Sequence, residues 1–371
     1  MKTGLVNGLK GLICTALSLV LFMGSAGAVQ VPDTSAAGVV LMDADSGRIL
    51  YEKNGDERRL IASITKLMTA LVALESGHTP DEVVTVRQEW TGIEGSSLYL
   101  RAGEQLRLET LLYGMLLRSG NDAAEAVAGH CSESVDAFVD AMNEKAAQLG
   151  MTNSHFANPS GLNAEGHYST ARDMAVLARA CLENEMLRTI VSTQSIALER
   201  RIFANHNKLL WQYEGCIGLK TGYTEKAGRT LVSAARRDGM TLICVTLNAP
   251  DDWRDHAALF DYGFSRYRRA CLIREGEVMC RIPVKGCLMP LCALRAQKTV
   301  WAALTEDERA DFAMRLSQEH LTAPVFEGEI AGEGIFSLNG QELARISLVV
   351  GENLQNDTAL EGNRLSKFFG R

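Results

Sequence analysis

The sequence lacks the features that mark several classes of protein. Its 38 lysines and arginines are outnumbered by 45 aspartates and glutamates, and the net charge of −7 argues against a nucleic-acid-binding protein. It has no internal repeat and no low-complexity segment, and after residue 28 no apolar run is long enough to cross a bilayer. What remains is a chain with 46% apolar residues, an ordinary content for a globular protein.

Cysteine and histidine patterns typical of metal sites are also absent. Eight cysteines follow residue 28, and no two of them form a C-x-x-C pair. In an exported chain their even number permits disulfides, but the sequence leaves the pairing open, and reduced thiols are equally consistent. A zinc site is the rival interpretation for the last four, yet they have no histidine nearby: Cys271, Cys280, Cys287 and Cys292. We predict neither a metal nor a cofactor.

The first 28 residues have the pattern of a secretory signal peptide. Lys2 and Lys10 precede an apolar stretch from Leu12 to Met23, and Ala26-Gly27-Ala28 is an A-x-A cleavage site. The alternative, an uncleaved anchor, is disfavoured because the apolar stretch is shorter than the roughly 20 residues that a span needs. We expect a mature chain that starts at Val29 and works outside the cytoplasm.

Three short motifs stand in a fixed order along the chain, at Ser63–Lys66 (S-I-T-K), Ser119–Asn121 (S-G-N) and Lys220–Gly222 (K-T-G). Each one alone is common, but their conjunction in this order behind an export signal is specific. The chain resembles the penicillin-recognising serine acyltransferases, and among them the D-alanyl-D-alanine carboxypeptidases called low-molecular-mass penicillin-binding proteins. The resemblance is firm over residues 35–265 and weak beyond.

The first motif pairs a nucleophile with a base. A serine hydroxyl must lose its proton to a neighbour as it attacks, and Lys66 lies one helical turn after Ser63. The Lys66 amine must be neutral to act as a base, which requires burial and a nearby cation to lower its pKa. Lys220 is the candidate for that cation. The alternative is a non-catalytic S-x-x-K, in which the serine caps the helix and the lysine is solvated.

The resemblance implies roles for the second motif and for the backbone. In the family pattern, the Ser119 hydroxyl relays a proton to the leaving amine, and the Asn121 amide holds a carbonyl of the peptide. The oxyanion hole is expected at the backbone N–H groups of Ser63 and Tyr223. Taken alone, Ser-Gly-Asn is simply a turn.

Substrate recognition is predicted around the third motif. Lys220 by its charge and Thr221 by its hydroxyl are expected to engage the free carboxylate of the substrate, with Gly222 leaving room for a peptide on the strand edge. Arg254 either reaches that carboxylate or pairs with its acidic neighbours. His206 departs from the arginine of some family members, which leaves the number of cations at the carboxylate open.

The patterns predict an α+β fold with a penicillin-binding or β-lactamase-like catalytic domain. A hairpin over residues 37–51 and strands after residue 215 form one antiparallel sheet, packed on helices that include a buried central helix over 63–76. Beyond Tyr267 a smaller, mostly β domain follows, with helix expected only near 306–316. We place the catalytic domain at 29–268, the second domain at 269–355 and a short tail at 356–371.

The leading functional hypothesis is an exported carboxypeptidase that removes the terminal D-alanine of peptidoglycan stem pentapeptides through an acyl-enzyme on Ser63, with β-lactam antibiotics as inhibitors. A class A-like β-lactamase needs a glutamate before the third motif to activate the deacylating water. Residues 155–163, the corresponding region, contain no acid, and the next one is Glu165. A catalytically silent wall-binding protein is the other alternative. The tail has few large apolar residues, so we expect membrane association to be weak or absent.

Overall fold

The structure, a computed structural model, describes residues 30–357. The predicted signal peptide and the tail beyond residue 357 lie outside the described residues. Short 3-10 helices span Ala62–Thr65 and Gln88–Trp90. The α-helices are α1 (Lys66–Glu75), α2 (Leu108–Leu117), α3 (Asn121–Cys131), α4 (Val135–Gln148), α5 (Ala171–Glu183), α6 (Glu185–Ser192), α7 (Leu209–Gln212) and α8 (Asp252–Arg266).

Strands and helices are interspersed up to residue 266, and the rest of the described chain contains strands. They are β1 (Gly38–Asp43), β2 (Ile49–Lys53), β3 (Val83–Thr85), β4 (Gln105–Arg107), β5 (Ser195–Leu198), β6 (Arg201–Ala204), β7 (Cys216–Thr224), β8 (Gly228–Arg237), β9 (Met240–Leu247), β10 (Arg268–Ile273), β11 (Val278–Lys285), β12 (Leu291–Ala296), β13 (Val300–Leu304), β14 (Asp311–Leu316), β15 (Leu321–Thr322), β16 (Ile330–Leu338) and β17 (Gln341–Val350).

One antiparallel sheet organises the region that carries the three motifs. Its strand order is β2-β1-β9-β8-β7, so the N-terminal hairpin pairs with the last strand of the domain. This confirms the predicted closure of the sheet by both ends of the chain segment. The third motif lies on β7, an edge strand whose only neighbour in this sheet is β8. One edge of β7 is therefore free to pair with an extended peptide.

Helix α1 is the buried central helix that the sequence predicts. Every residue from Lys66 to Ala73 is buried, and a helix surrounded by protein on all sides is held rigidly by its packing. Gly77, with a φ of +90°, turns the chain away just after the helix ends. The prediction placed Ser63 inside this helix, whereas the structure places it in the 3-10 turn immediately before α1.

The second region is built from a six-stranded sheet, β14-β16-β17-β12-β11-β15, and the pair β10-β13. The predicted helix near 306–316 is wrong, because residues 311–316 form β14 and pair with β16. The Phe312 and Phe336 rings pack across these strands with centroids 4.9 Å apart. Such cross-strand contacts stabilise a strand that local periodicity does not reveal.

The two regions contact each other through the N-terminal hairpin. The Arg48 guanidinium binds the Glu308 carboxylate at 2.6 Å, and the Ala303 N–H donates to Asp43 Oδ2 at 3.0 Å. All eight cysteines within residues 30–357 are unpaired thiols. Within the same residues, no helix combines the length and the apolar character that crossing a membrane requires.

Candidate active site

Ser63 lies on a strained turn at the head of the central helix. The preceding residue, Ala62, has a φ of +49°, a conformation that costs a residue with a side chain about 1–3 kcal/mol. Thr65 holds this turn because its Oγ1 donates to the Ala62 carbonyl at 2.8 Å. The Ser63 side chain lines the cleft, while Ala62, Ile64 and Thr65 are buried. The turn thus presents one hydroxyl to solvent on a rigid base.

Lys66 reaches this hydroxyl from the first turn of α1. Its Nζ lies 3.0 Å from Ser63 Oγ, 2.7 Å from Asn121 Oδ1 and 2.5 Å from the Ser160 carbonyl oxygen. The side chain has no exposed surface. Burial, followed by the nearby positive charge of Lys220, lowers the pKa of Lys66 well below its ordinary value.

The partners of Lys66 suit a neutral amine. Asn121 Oδ1 and the Ser160 carbonyl can only accept, so they take the two N–H donors of an uncharged amine. The lone pair is then left for the third partner, the Ser63 hydroxyl, which can donate its own proton. This is the arrangement that a general base requires.

Ser119 and Lys220 form the opposite wall. Ser119 lies in the loop between α2 and α3 with a φ of +63°, and its Oγ is 3.1 Å from Lys220 Nζ. Lys220, only 1% exposed, also donates to the Thr221 carbonyl at 2.8 Å. Burial lowers the pKa of Lys220 to about 7, so its ammonium gives up a proton easily near neutral pH. Its contact is with the second-motif serine and not with the open cleft.

Gly222 is required by the packing beneath β7. A Cβ at this position would lie 2.4 Å from Thr230 Oγ1 and 2.9 Å from the Ser63 nitrogen. The sequence predicted that Gly222 leaves room for a peptide at the strand edge, whereas the structure shows that it lets β7 approach the nucleophile turn. The next residue, Tyr223, is 63% exposed and lines the cleft.

The open cleft above these residues has a volume of about 470 Å³. Its lining consists of Ser63, Ser96, Ser119, Asn205, His206, Lys208, Thr221, Gly222, Tyr223, Arg229, Asp252 and Trp253. Lys66, Asn121 and Lys220 are buried behind this surface. The structure therefore brings all three motifs to one place.

Arg254 is the sequence-predicted site residue that lies neither in the cleft lining nor buried behind it. Its side chain is 68% exposed and pairs with Asp251 at 3.2 Å and Asp255 at 3.8 Å, the alternative that the sequence left open. Arg254 does not line the cleft, whereas Arg229 on β8 lines it and pairs with Asp252 at 2.9 Å. Arg229, and not Arg254, is therefore the arginine that the structure brings to the cleft.

His206 lines the same cleft but supplies no charge at neutral pH. Burial, with added repulsion from Lys220 and Arg118, lowers the pKa of His206 to about 4. The ring is uncharged above that pH. The positive charges among the described residues that line the cleft are therefore those of Arg229 and Lys208.

Comparisons with known proteins agree with this geometry. A family model described as D-alanyl-D-alanine carboxypeptidase matches residues 25–251, more than half of the chain. This chain belongs to that family. It is therefore a serine-type D-alanyl-D-alanine carboxypeptidase, a hydrolase, as the resemblance predicted.

Relatives of this carboxypeptidase match over nearly their whole length. D-alanyl-D-alanine carboxypeptidase DacF of Bacillus subtilis (strain 168) is 31% identical over 338 residues, 86% of each chain. DacA of Escherichia coli (strain K12) is 33% identical over 365 residues, 92% of this chain and 87% of the other. The crystal structure of penicillin binding protein 5 from Haemophilus influenzae has a TM-score of 0.76 at 29% identity and covers 88% of this chain and 100% of that one. The predicted fold class is confirmed.

Sequence reasoning missed three residues of the carboxypeptidase site. The Ser160 carbonyl binds Lys66, the buried His167 supports the nucleophile turn, and Arg229 lines the cleft. A backbone carbonyl has no sequence signal beyond the Asn158–Gly161 turn. A lone histidine also resembles any core histidine. Arg229 had a weak signal, because it follows the third motif by one hairpin.

Proposed function

We propose that this carboxypeptidase uses Ser63 as its nucleophile and Lys66 as its general base to remove the terminal D-alanine of peptidoglycan stem pentapeptides. The observation that carries this proposal is the set of contacts around Lys66 Nζ: two acceptors that cannot donate and the Ser63 hydroxyl at 3.0 Å. Lys220, which is also buried, contacts the hydroxyl of Ser119 and not that of Ser63.

In the acylation step, Ser63 Oγ attacks the carbonyl carbon of the penultimate D-alanine while its proton passes to Lys66. The negative charge that develops on the carbonyl oxygen is stabilised by the backbone N–H groups of Ser63 and Tyr223, and losing one such donor typically costs about 3–4 kcal/mol. The approach of β7 to the nucleophile turn at Gly222 supports this placement.

Collapse of the tetrahedral intermediate breaks the peptide bond and releases D-alanine. The leaving nitrogen takes a proton from the Ser119 hydroxyl, which is resupplied by Lys220 at 3.1 Å. Lys66 now holds the proton of Ser63 and Lys220 has given one up, so a proton passes from Lys66 to Lys220 through water in the cleft and restores both charges. Water then attacks the acyl-enzyme, the neutral Lys66 takes its proton, and that proton returns to Ser63 Oγ as the acyl bond breaks. One water is consumed per peptide bond, and both lysines return to their starting charge.

The substrate lies as an extended strand along the free edge of β7. Thr221 donates its hydroxyl to the terminal carboxylate, and Arg229 supplies the positive charge at the cleft surface. Lys220 contributes by its field from below the surface. Asn121 divides its amide between two tasks, because Oδ1 binds Lys66 and Nδ2 donates to the Glu94 carbonyl at 2.6 Å. Asn121 accordingly orients the base in the free enzyme.

A β-lactam is expected to acylate the same serine and to leave slowly. The site offers little for rapid β-lactamase turnover, because the group that approaches Lys66 from the 158–162 turn is the Ser160 carbonyl, and Glu165 is exposed. The intact contacts of all three motifs argue against a catalytically silent wall-binding protein.

We place the enzyme on the outer side of the cytoplasmic membrane, cleaved after Ala28, with a catalytic domain at 29–268, a second domain at 269–355 and weak or no membrane attachment. Fractionation of cells expressing the full chain tests this localisation. Cleaved enzyme in a membrane pellet that resists high salt would contradict it.

The central experiment compares Ser63→Ala with Ser96→Ala, a second cleft serine. Intact-protein mass spectrometry after exposure to penicillin should show one covalent adduct on the wild type and on Ser96→Ala, and none on Ser63→Ala. Ser63→Ala should likewise release no D-alanine from a pentapeptide. An adduct on Ser63→Ala would show that the nucleophile lies elsewhere.

A further inference from the structure

A second cluster of reactive side chains lies at the end of the central helix that is remote from Ser63. His78 Nδ1 is 2.7 Å from Glu82 Oε2, and His130 Nε2 is 3.3 Å from the same oxygen. One ligand atom of each residue lies within 4.8 Å of those of the other two. The side chains are 21–36% exposed, so the cluster is open to ions from solvent.

The local structure places both imidazoles at one oxygen of Glu82. His78 and Glu82 stand in the connection between α1 and β3, and His130 is in the last turn of α3. The other carboxylate oxygen, Glu82 Oε1, accepts the Thr79 N–H at 2.7 Å. That bond fixes the carboxylate and leaves Oε2 for the two imidazoles, as outer hydrogen bonds do for metal-binding carboxylates.

The donor set identifies the kind of ion. Two imidazole nitrogens and one carboxylate oxygen suit zinc and similar transition metals, whereas magnesium and calcium prefer six or more oxygens. Zinc bonds of about 2.0–2.2 Å in a tetrahedron place ligand atoms roughly 3.4 Å apart. The His130–Glu82 separation of 3.3 Å already fits, and the His78–Glu82 separation of 2.7 Å must open by a small side-chain rotation.

We propose that His78, Glu82 and His130 bind one zinc ion, or a similar divalent transition metal, with water in the fourth position. The Glu82 carboxylate is oriented for this role, because the Thr79 N–H holds Oε1 and both imidazoles lie at Oε2. The two contacts at Glu82 Oε2 already bring one ligand atom of each side chain together.

The position of the cluster gives the metal a structural role. Helices α1 and α3 pack against each other and begin at Lys66 and Asn121, whose side chains meet at 2.7 Å. The cluster joins the same two segments at their other ends, about 15 Å along a ten-residue helix. The metal would therefore tie the far ends of the helix pair whose near ends meet at Lys66 and Asn121, without touching the substrate.

The test is titration of the metal-free full chain with ZnCl2 and, separately, MgCl2. We expect one zinc per chain with a Kd of about 1 µM or below and no magnesium binding. The melting temperature should rise by about 5 °C or more at a hundredfold excess over the Kd. Co2+ in place of zinc should show no sulfur-to-metal charge-transfer band, which separates this cluster from the eight cysteines.

Variants assign the site. Glu82→Gln and His130→Ala should each weaken zinc binding at least tenfold, while His320→Ala, a histidine of the second region, should not change it. Glu82→Gln keeps the shape of the side chain, so the circular dichroism spectrum of the metal-free variant should match that of the metal-free wild type. Zinc binding that persists in both variants, a thiolate band with cobalt, or no binding by the wild type would each overturn the proposal.

Discussion

The imidazole of His167 supports the hydroxyl of Thr65, with His167 Nε2 2.8 Å from Thr65 Oγ1. Its other nitrogen, Nδ1, accepts the Ala157 N–H at 3.1 Å, so the proton of the neutral ring lies on Nε2 and is donated to Thr65. Thr65 in turn donates to the carbonyl of Ala62, whose φ is +49°. A buried histidine thus holds the strained turn that presents Ser63.

This chain of hydrogen bonds makes His167 a positioning residue. His167→Ala should reduce the rate of acylation by penicillin at least tenfold while changing KM for the pentapeptide by less than threefold, because the hydroxyl is misplaced and the cleft is intact. His167→Gln, whose amide N–H can reach Thr65, should recover part of the rate. Equal rates for wild type and His167→Ala would show that packing alone holds the turn.

Stability should depend on His167 in acid. Burial, with repulsion from His155 and Lys66, lowers the pKa of His167 to about 4, below the ordinary 6.5. Between pH 4 and 6.5 the unfolded chain binds more protons than the folded one, so the free energy of unfolding falls as the pH falls through this window. Thermal melts from pH 7 to pH 4 should decline less steeply for His167→Gln than for wild type. The pKa values of His206 and His256 are also lowered, but both residues are present in both proteins, so their contributions to the pH dependence cancel in the comparison.

The sequence was sufficient where chemistry and local pattern coincide. Ser63, Lys66, Ser119 and Lys220 could be named because the motif order is specific, and the burial of α1 followed from apolar residues on both sides of the helix. His167 was beyond reach because its partner lies 102 residues away, and only the tertiary fold brings the two together.

The wrongly predicted helix and the open question at Arg254 also have physical causes. The segment 311–316 was assigned to a helix because strand formation there depends on pairing with β16, which local sequence does not encode. For Arg254 the sequence left open a contact with the substrate carboxylate or pairing with its acidic neighbours, and Arg229 stands in no motif, so only the fold shows which arginine lines the cleft. The six-stranded sheet itself matched the predicted mostly β texture.

The charge of Lys220 should set the working pH of Lys66. After burial, Lys220 is the second cause of the lowered pKa of Lys66, so removing that charge should raise the pKa of Lys66 and reduce its neutral fraction. Lys220→Met, similar in length and uncharged, should shift the acidic limb of the penicillin acylation profile to higher pH. An unshifted limb with only a lower plateau would mean that Lys220 acts through Ser119 alone.

Gly222 should tolerate no side chain. In Gly222→Ala the new Cβ would meet Thr230 Oγ1 at 2.4 Å and the Ser63 nitrogen at 2.9 Å, which forces β7 away from the nucleophile turn. Acylation by penicillin should fall at least a hundredfold, roughly the effect of losing one oxyanion donor. The matched control is Gly38→Ala on β1 of the same sheet, where the nearest atom is 3.5 Å away. Comparable losses in both variants would indicate general damage to the sheet.

Arg229 and Arg254 offer a matched test of carboxylate recognition, since each pairs with an aspartate and only Arg229 lines the cleft. A hydrogen bond to a charged group contributes about 1.5–3 kcal/mol, so Arg229→Gln should raise KM for a pentapeptide with a free carboxylate tenfold or more. Arg254→Gln should stay within twofold. With an amidated terminus the penalty of Arg229→Gln should largely disappear, because there is no charge left to bind. Melting temperatures must accompany these measurements, since Arg229→Gln also leaves the buried Asp252 without its ion-pair partner. If Arg254→Gln raised KM and Arg229→Gln did not, the assignment made from the sequence would be the correct one.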